Sequence, residues 1–140
     1  MRLILILSLL LPTLALAPAS ACERPFRAGL AAFRAADRTL VEVEATLYRG
    51  LGWATRARVL ERLEGLSARS TACQEVTRLN DALQGALDQI ARARAQFSMA
   101  QAVCLDENRR RAEDNLGALT DTAGAIRSQI DFLADLATRC

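Results

Sequence analysis

Four cysteines are the residues best suited to chemistry in this chain of 140 residues: Cys22, Cys73, Cys104 and Cys140. They are spaced too widely for the Cys-x2-4-Cys knuckles of a structural zinc site, and no Cys-x-x-Cys redox pair occurs. Where a chain is exported, four cysteines are typical of two disulfide bonds. We therefore expect two disulfides and no metal site.

Paired carboxylates offer a second kind of chemistry, because two acidic side chains can divide the acid and base roles in glycoside hydrolysis. The available pairs are Glu42 with Glu44, Glu61 with Glu64, Glu113 with Asp114, and Asp131 with Asp135. Each pair also fits a solvated helix face with ion pairs to nearby arginines. The chain has no histidine and no lysine, so the usual general base is missing. We expect no enzyme activity, with a small carboxylate-dependent cell-wall hydrolase as the alternative.

Two features could contribute a contact surface for a partner. Arg109, Arg110 and Arg111 form a local basic cluster, but four acidic residues lie within three positions of it and neutralise most of its field. Tyr48 and Trp53 lie at one predicted turn, where they either cap the core or are exposed for recognition. We expect the arginines to pair with their neighbours and the aromatic rings to cap the core.

The charge balance argues against a nucleic-acid partner. The chain carries 18 basic residues, all of them arginine, and 16 acidic residues, for a formal net charge of +2. Binding of DNA or RNA requires a basic excess on one face. Glycine-rich phosphate loops, a haem-attachment motif and calcium loops are also missing from the sequence, so we expect no cofactor.

Residues 1–21 have the pattern of a secretory signal peptide: Met1-Arg2, an apolar run over residues 3–17, and small residues up to Ala21. The apolar run is shorter than the roughly 20 residues that a membrane-spanning helix needs, so we expect no retained span. Cleavage after Ala21 would leave residues 22–140 as a single domain in the periplasm or outside the cell. The arginine- and alanine-rich composition suggests a bacterial source.

The position of Cys22 just after the predicted cleavage site raises one alternative, an envelope lipoprotein anchored through that cysteine. Ala19 lies three residues earlier, where lipoprotein processing sites usually have a large aliphatic residue such as leucine. Lipidation would also leave an odd number of cysteines in an oxidising compartment. We therefore expect Cys22 to form a disulfide.

Apolar residues recur at intervals of three and four through most of the chain, and no strand pattern competes. The spacing predicts helices over about residues 23–48 and 53–69, with a turn at 50–52, and a third helix from near Ala72. Thr71 and Gln74 form a predicted capping box for that third helix. Its stripe is close to a heptad pattern and indicates coiled-coil-like packing: Val76, Leu79, Leu83, Leu87, Ile90 and Phe97.

The cysteines also predict where the helices turn. Bridged Cα atoms lie roughly 4.4–6.8 Å apart, and paired positions of an antiparallel hairpin are about equally far from its turn. The midpoint of Cys22 and Cys73 falls near Tyr48, beside the predicted turn at residues 50–52. We therefore predict a Cys22–Cys73 bond that closes the first hairpin.

The same reasoning predicts a Cys104–Cys140 bond, whose midpoint falls near Thr122. The third helix would then continue past the three arginines toward Asn115. A turn at Leu105-Asp106 is the competing interpretation. It would place a helix of some 35 residues between Cys104 and Cys140 and separate them by about 50 Å, so that no bond could join them.

These patterns together predict an all-α domain in which antiparallel helical hairpins form an elongated three- to four-helix bundle, stapled by disulfides. The missing catalytic side chains and the long apolar stripe favour a non-catalytic protein-interaction, adaptor or structural accessory role in the periplasm. The expected partner is another envelope protein or a second copy of the chain.

Overall fold

The computed structural model describes residues 19–47 and 70–140, and every regular element in these two ranges is helical. The elements are α1 (Ala19–Ala45), α2 (Thr71–Val103) and α3 (Asp106–Ala137). A wider helical turn continues α1 through Leu47. The predicted all-α class is confirmed for the described residues, whereas the helix predicted over 53–69 lies outside them.

Helix α2 lies at the centre of the bundle and packs against both α1 and α3, which contact each other only slightly. It runs antiparallel to α1, since the beginning of α1 is bonded to the end of α2 through Cys22 and Cys104. It runs antiparallel to α3 as well, since Cys73 near its beginning is bonded to Cys140 after α3. The bundle therefore has a 22–104 end and a 73–140 end, each named for its disulfide.

The apolar stripe predicted for α2 is confirmed as the centre of the core. Its buried residues recur at intervals of three and four that alternate from Val76 onward, as expected for coiled-coil-like packing: Cys73, Val76, Leu79, Leu83, Ala86, Ile90, Ala93, Phe97 and Ala100. Leu87, which the stripe was expected to include, is half-buried. Three of these buried residues are alanines, whose small side chains allow a neighbouring helix to lie close to α2.

The turn between the second and third described helices corrects a prediction. The helix predicted from near Ala72 is α2, which ends at Val103 and does not continue to Asn115. Helix α3 begins at Asp106, so Thr122, near which the turn was predicted, lies inside a helix. Cys104 and Leu105 have extended backbones that reverse the chain within two residues. Asp106 follows with a φ of 47°, a left-handed conformation that aspartate tolerates better than most residues.

The predicted cysteine pairing is wrong. The bonds are Cys22–Cys104, with Cα atoms 4.8 Å apart, and Cys73–Cys140, with Cα atoms 5.9 Å apart. The predicted Cys22–Cys73 and Cys104–Cys140 pairs would each join opposite ends of the bundle. Cys73 and Cys104 lie near opposite ends of α2, which separates them by roughly 46 Å at about 1.5 Å per residue.

The ends of the helices differ in detail from the sequence patterns. Ser70 rather than Thr71 caps α2, because its hydroxyl accepts a hydrogen bond from the Cys73 N–H at 3.2 Å. Helix α1 begins at Ala19, within the segment predicted to be the signal peptide. None of the helices in ranges 19–47 and 70–140 combines the length and apolarity of a membrane-spanning segment.

Candidate protein-interaction surface

The 22–104 end of the bundle exposes a cluster of large apolar side chains. In the described ranges, four large apolar residues are at least half exposed: Val41 (54%), Met99 (54%), Val103 (50%) and Leu105 (78%). The last three lie within seven residues, on the final turns of α2 and in the turn that follows. We call Met99, Val103 and Leu105 the apolar tip.

A shallow groove extends the apolar tip onto the first turns of α1. Met99 and Val103 line it together with Arg24, Pro25 and Ala21, and its volume is about 370 Å³. Cleavage at the predicted site would remove Ala21 and leave the other four residues in place. Arg24 contributes the single charged side chain in this lining. The groove thus offers an apolar floor with a cation at its edge, a composition suited to an amphipathic segment of a partner protein.

The apolar tip is held on a rigid base. The Cys22–Cys104 bond joins α1 to the residue immediately before Leu105. Just inside this bond, the rings of Phe26 and Phe97 pack edge to face with centroids 5.6 Å apart. The disulfide and the ring contact therefore hold the end of α2 and the start of the following turn against α1.

The arginine cluster lies next to the apolar tip, on the first turns of α3. Arg109 pairs with Glu113 at 3.5 Å and Arg111 with Glu107 at 2.7 Å, so the predicted self-pairing is found for these two. No carboxylate of the described residues pairs with Arg110, which is exposed. Tyr48 and Trp53, the other residues predicted for a contact surface, lie outside the described residues.

The candidate catalytic carboxylates are distributed along exposed or half-exposed helix faces. Glu113 accepts a hydrogen bond from Gln101 as well as pairing with Arg109, and Asp135 lies 4.0 Å from Arg139. Glu44 accepts a hydrogen bond from the buried Gln129 at 3.2 Å. Glu61 and Glu64 lie outside the described residues. These contacts are those of helix surfaces, and the described carboxylates form no group of three or more that could hold a metal ion.

One carboxylate of the described residues has a clearly shifted pKa. A side-chain hydrogen bond from Arg78, at 2.9 Å between Nε and Oε2, lowers the pKa of Glu75. The charge of Arg78 acts in the same direction. Glu75 is thereby held ionised on the surface of α2, which is the opposite of what a proton donor needs.

The disulfide at Cys22 bears on the lipoprotein alternative. Lipidation attaches the lipid to the cysteine sulfur, and in this structure that sulfur is bonded to Cys104. A lipidated Cys22 would leave Cys104 as a buried, unpaired thiol. The pairing therefore favours the disulfide over the lipid anchor.

The apolar tip was not singled out from the sequence. Met99 and Val103 fall outside the heptad-like stripe of α2, and that departure was the available signal. These two residues lie at one end of the bundle because α2 ends at a tight turn after Val103. The cysteine spacing predicts that turn near Thr122 instead. Comparison of the chain with protein-family models, with curated protein sequences and with solved structures finds no match in any of the three.

Proposed function

We propose that this protein is an exported, non-catalytic helical scaffold that binds another envelope protein through its apolar tip. The observation that carries the proposal is that Met99, Val103 and Leu105 are exposed at one end of the bundle, whereas Val41 is the one other large apolar residue of ranges 19–47 and 70–140 that is at least half exposed. Single exposed apolar residues are ordinary, but a cluster on a rigid support is typical of an interaction site.

The chemistry of the apolar tip suits protein recognition. Methionine adapts its shape to a partner, and the shallow groove beside it is wide and open rather than enclosed. Small-molecule sites are usually enclosed clefts that bury most of the ligand. An open apolar groove with Arg24 in its lining instead matches a protein surface with apolar and acidic residues.

Export is supported by the amino-terminal pattern and by the cysteines. All four cysteines are in disulfides, which persist in the periplasm and outside the cell and are rare in the reducing cytoplasm. The apolar run over residues 3–17 precedes the first of them, as a signal peptide would. We therefore place the scaffold and its partner in the periplasm or outside the cell.

A photo-crosslinking residue at position 105 tests the proposed function in living cells. We expect a covalent adduct with one exported protein from Leu105 and none from Val41, which is also exposed but lies on α1 away from the tip. An adduct of twice the mass of the chain would identify a second copy as the partner. Equal labelling from both positions, or no adduct from either, would contradict the proposal.

The affinity for the captured protein then measures the contribution of the apolar tip. We expect the triple variant M99S/V103S/L105S to bind the partner at least about tenfold more weakly, because each lost side chain removes about 1 kcal/mol of apolar contact. The matched control V41S should bind as the parent does. Equal circular dichroism and melting temperature of all proteins would show that the fold is intact.

A further inference from the structure

The disulfides join the cysteines out of chain order. The first cysteine is bonded to the third and the second to the fourth, across sequence separations of 82 and 67 residues. Consecutive cysteines are separated by only 51, 31 and 36 residues, from the differences between positions 22, 73, 104 and 140. Every consecutive pairing therefore closes a shorter loop than either native bond.

In an unfolded chain the shorter loops close first. Loop-closure entropy grows with the logarithm of length, so the Cys73–Cys104 loop forms about fourfold more readily than the Cys22–Cys104 loop. Export that begins at the amino terminus adds to this bias, because Cys22 meets Cys73 before Cys104 has emerged. Both effects favour bonds that the folded protein does not contain.

The folded bundle excludes each of these early bonds. Cys22 and Cys104 lie at one end, and Cys73 and Cys140 lie at the other, roughly 46 Å away along α2. All four non-native pairings would have to span that distance, which a disulfide cannot do. A chain with one consecutive bond thus cannot complete the bundle until that bond is opened.

We propose that this protein is a substrate of a thiol–disulfide isomerase, an exported enzyme that carries a reactive cysteine thiolate. The inference rests on the proposed export, because only an oxidising compartment would form the early bonds. The partner is defined by its chemistry, since it must open one disulfide and close another without net oxidation.

The exchange balances in two steps for a Cys22–Cys73 bond. The isomerase thiolate attacks the Cys22 sulfur, forms a mixed disulfide with it and releases Cys73 as a thiolate. The Cys104 thiolate then attacks Cys22 in the mixed disulfide, forms the native bond and returns the isomerase thiolate. Cys73 is left to be oxidised with Cys140 by an exported disulfide donor, whose own disulfide accepts the two electrons and two protons and becomes a dithiol.

Oxidative refolding of the reduced chain tests this inference. The probes are diamide as a stoichiometric oxidant that leaves no free thiol for exchange, and purified protein disulfide isomerase in a glutathione buffer. With diamide alone we expect at most about one third of the molecules to carry both native bonds, since four cysteines allow three complete pairings. With the isomerase we expect about a threefold rise, measured by mass mapping of disulfide-linked peptides.

Two variants serve as matched controls, C22S/C104S and C73S/C140S, because each can form a single bond and has nothing to rearrange. Their bond yields should be unaffected by the isomerase, whether or not they fold. Complete native pairing of the parent with diamide alone would overturn the inference, because it would show that the helices assemble before the cysteines react. Free thiols and an intact leader on the protein isolated from cells would contradict the proposed export. The refolding experiment uses purified chain, so its outcome does not depend on that measurement.

Discussion

The two seams of the bundle, α1 against α2 and α2 against α3, are closed by different means. The α2–α3 seam has a two-residue turn at one end and the Cys73–Cys140 bond at the other. Polar side chains also bridge it, since Arg94 donates a hydrogen bond to Thr120 at 3.3 Å. This seam is therefore closed by covalent links at both ends and by contacts between them.

The α1–α2 seam depends more on its disulfide and its packing. The chain passes from α1 to α2 through residues 48–69, a connection of 22 residues rather than two. At the opposite end, the Cys22–Cys104 bond and the contact of Phe26 with Phe97 hold α1 in place. The bond and the ring contact therefore position α1 against α2 at this end.

Removing each disulfide in turn should show the largest difference between the two seams. The loops of 82 and 67 residues predict nearly equal losses for C22S/C104S and C73S/C140S, about 4 kcal/mol each in the free energy of unfolding. Guanidinium denaturation of both variants measures these losses. Hydrogen exchange should differ, with faster exchange throughout α1 in the first variant and only near the 73–140 end in the second. Unchanged exchange in α1 of C22S/C104S would show that packing alone holds that seam.

Gly29 should be the most sensitive glycine of the α1–α2 seam. A Cβ atom at this position would lie 3.0 Å from two carbons of the Phe97 ring, which is fully buried and packed against Phe26. We expect Gly29→Ala to lower the free energy of unfolding by about 1–2 kcal/mol, because overpacking outweighs the gain in helix propensity. Gly117→Ala on α3 is the control, since its Cβ meets nothing within 4 Å, and it should raise stability by about 0.5–1 kcal/mol. If both substitutions stabilise the protein, Gly29 is not packed tightly against Phe97.

Gln129 offers a test of the slight contact between α1 and α3. Its side chain is buried and donates to Glu44, while its Oε1 atom has no hydrogen-bond partner. We expect Gln129→Met to raise the free energy of unfolding by about 1 kcal/mol, because it removes an unsatisfied buried carbonyl. Glu44→Gln should change it by less than about 0.5 kcal/mol, since Glu44 is partly exposed. A loss of stability in Gln129→Met would mean that the hydrogen bond to Glu44 stabilises the fold by more than the unsatisfied Oε1 atom destabilises it.

The smallest expected effect concerns Glu75 and Arg78 on the surface of α2. The hydrogen bond from Arg78 lowers the pKa of Glu75 in the folded state, so the pair stabilises the protein above the ordinary carboxyl pKa of about 4.5. This contribution should fade as the pH falls through the lowered folded pKa. Glu75→Gln should lose a few tenths of a kcal/mol at pH 7 and show less dependence on pH below 5 in thermal melts. Identical pH profiles for variant and parent would contradict the assignment.

The helices were predictable because their signals are local. Residues three and four apart along a helix share a face, so the stripe from Val76 to Phe97 can be identified without knowledge of any partner. A turn at Leu105 is incompatible with a Cys104–Cys140 bond, and the predicted bond therefore led to a turn in the wrong place. The error thus came from the pairing and not from the pattern.

The midpoint of the observed Cys73–Cys140 bond falls between residues 106 and 107, beside the two-residue turn. The consecutive pairs Cys22–Cys73 and Cys104–Cys140 also have midpoints in segments that favour a turn, so midpoints alone do not distinguish the two pairings.

Local periodicity is enough to predict that the described segments are amphipathic helices, because helical spacing acts over a few residues. The cysteine pairing and the exposure of the apolar tip emerge from the packed bundle alone. Both depend on where the chain reverses and on which helix ends lie side by side, and those distances are set by packing between segments far apart in the sequence.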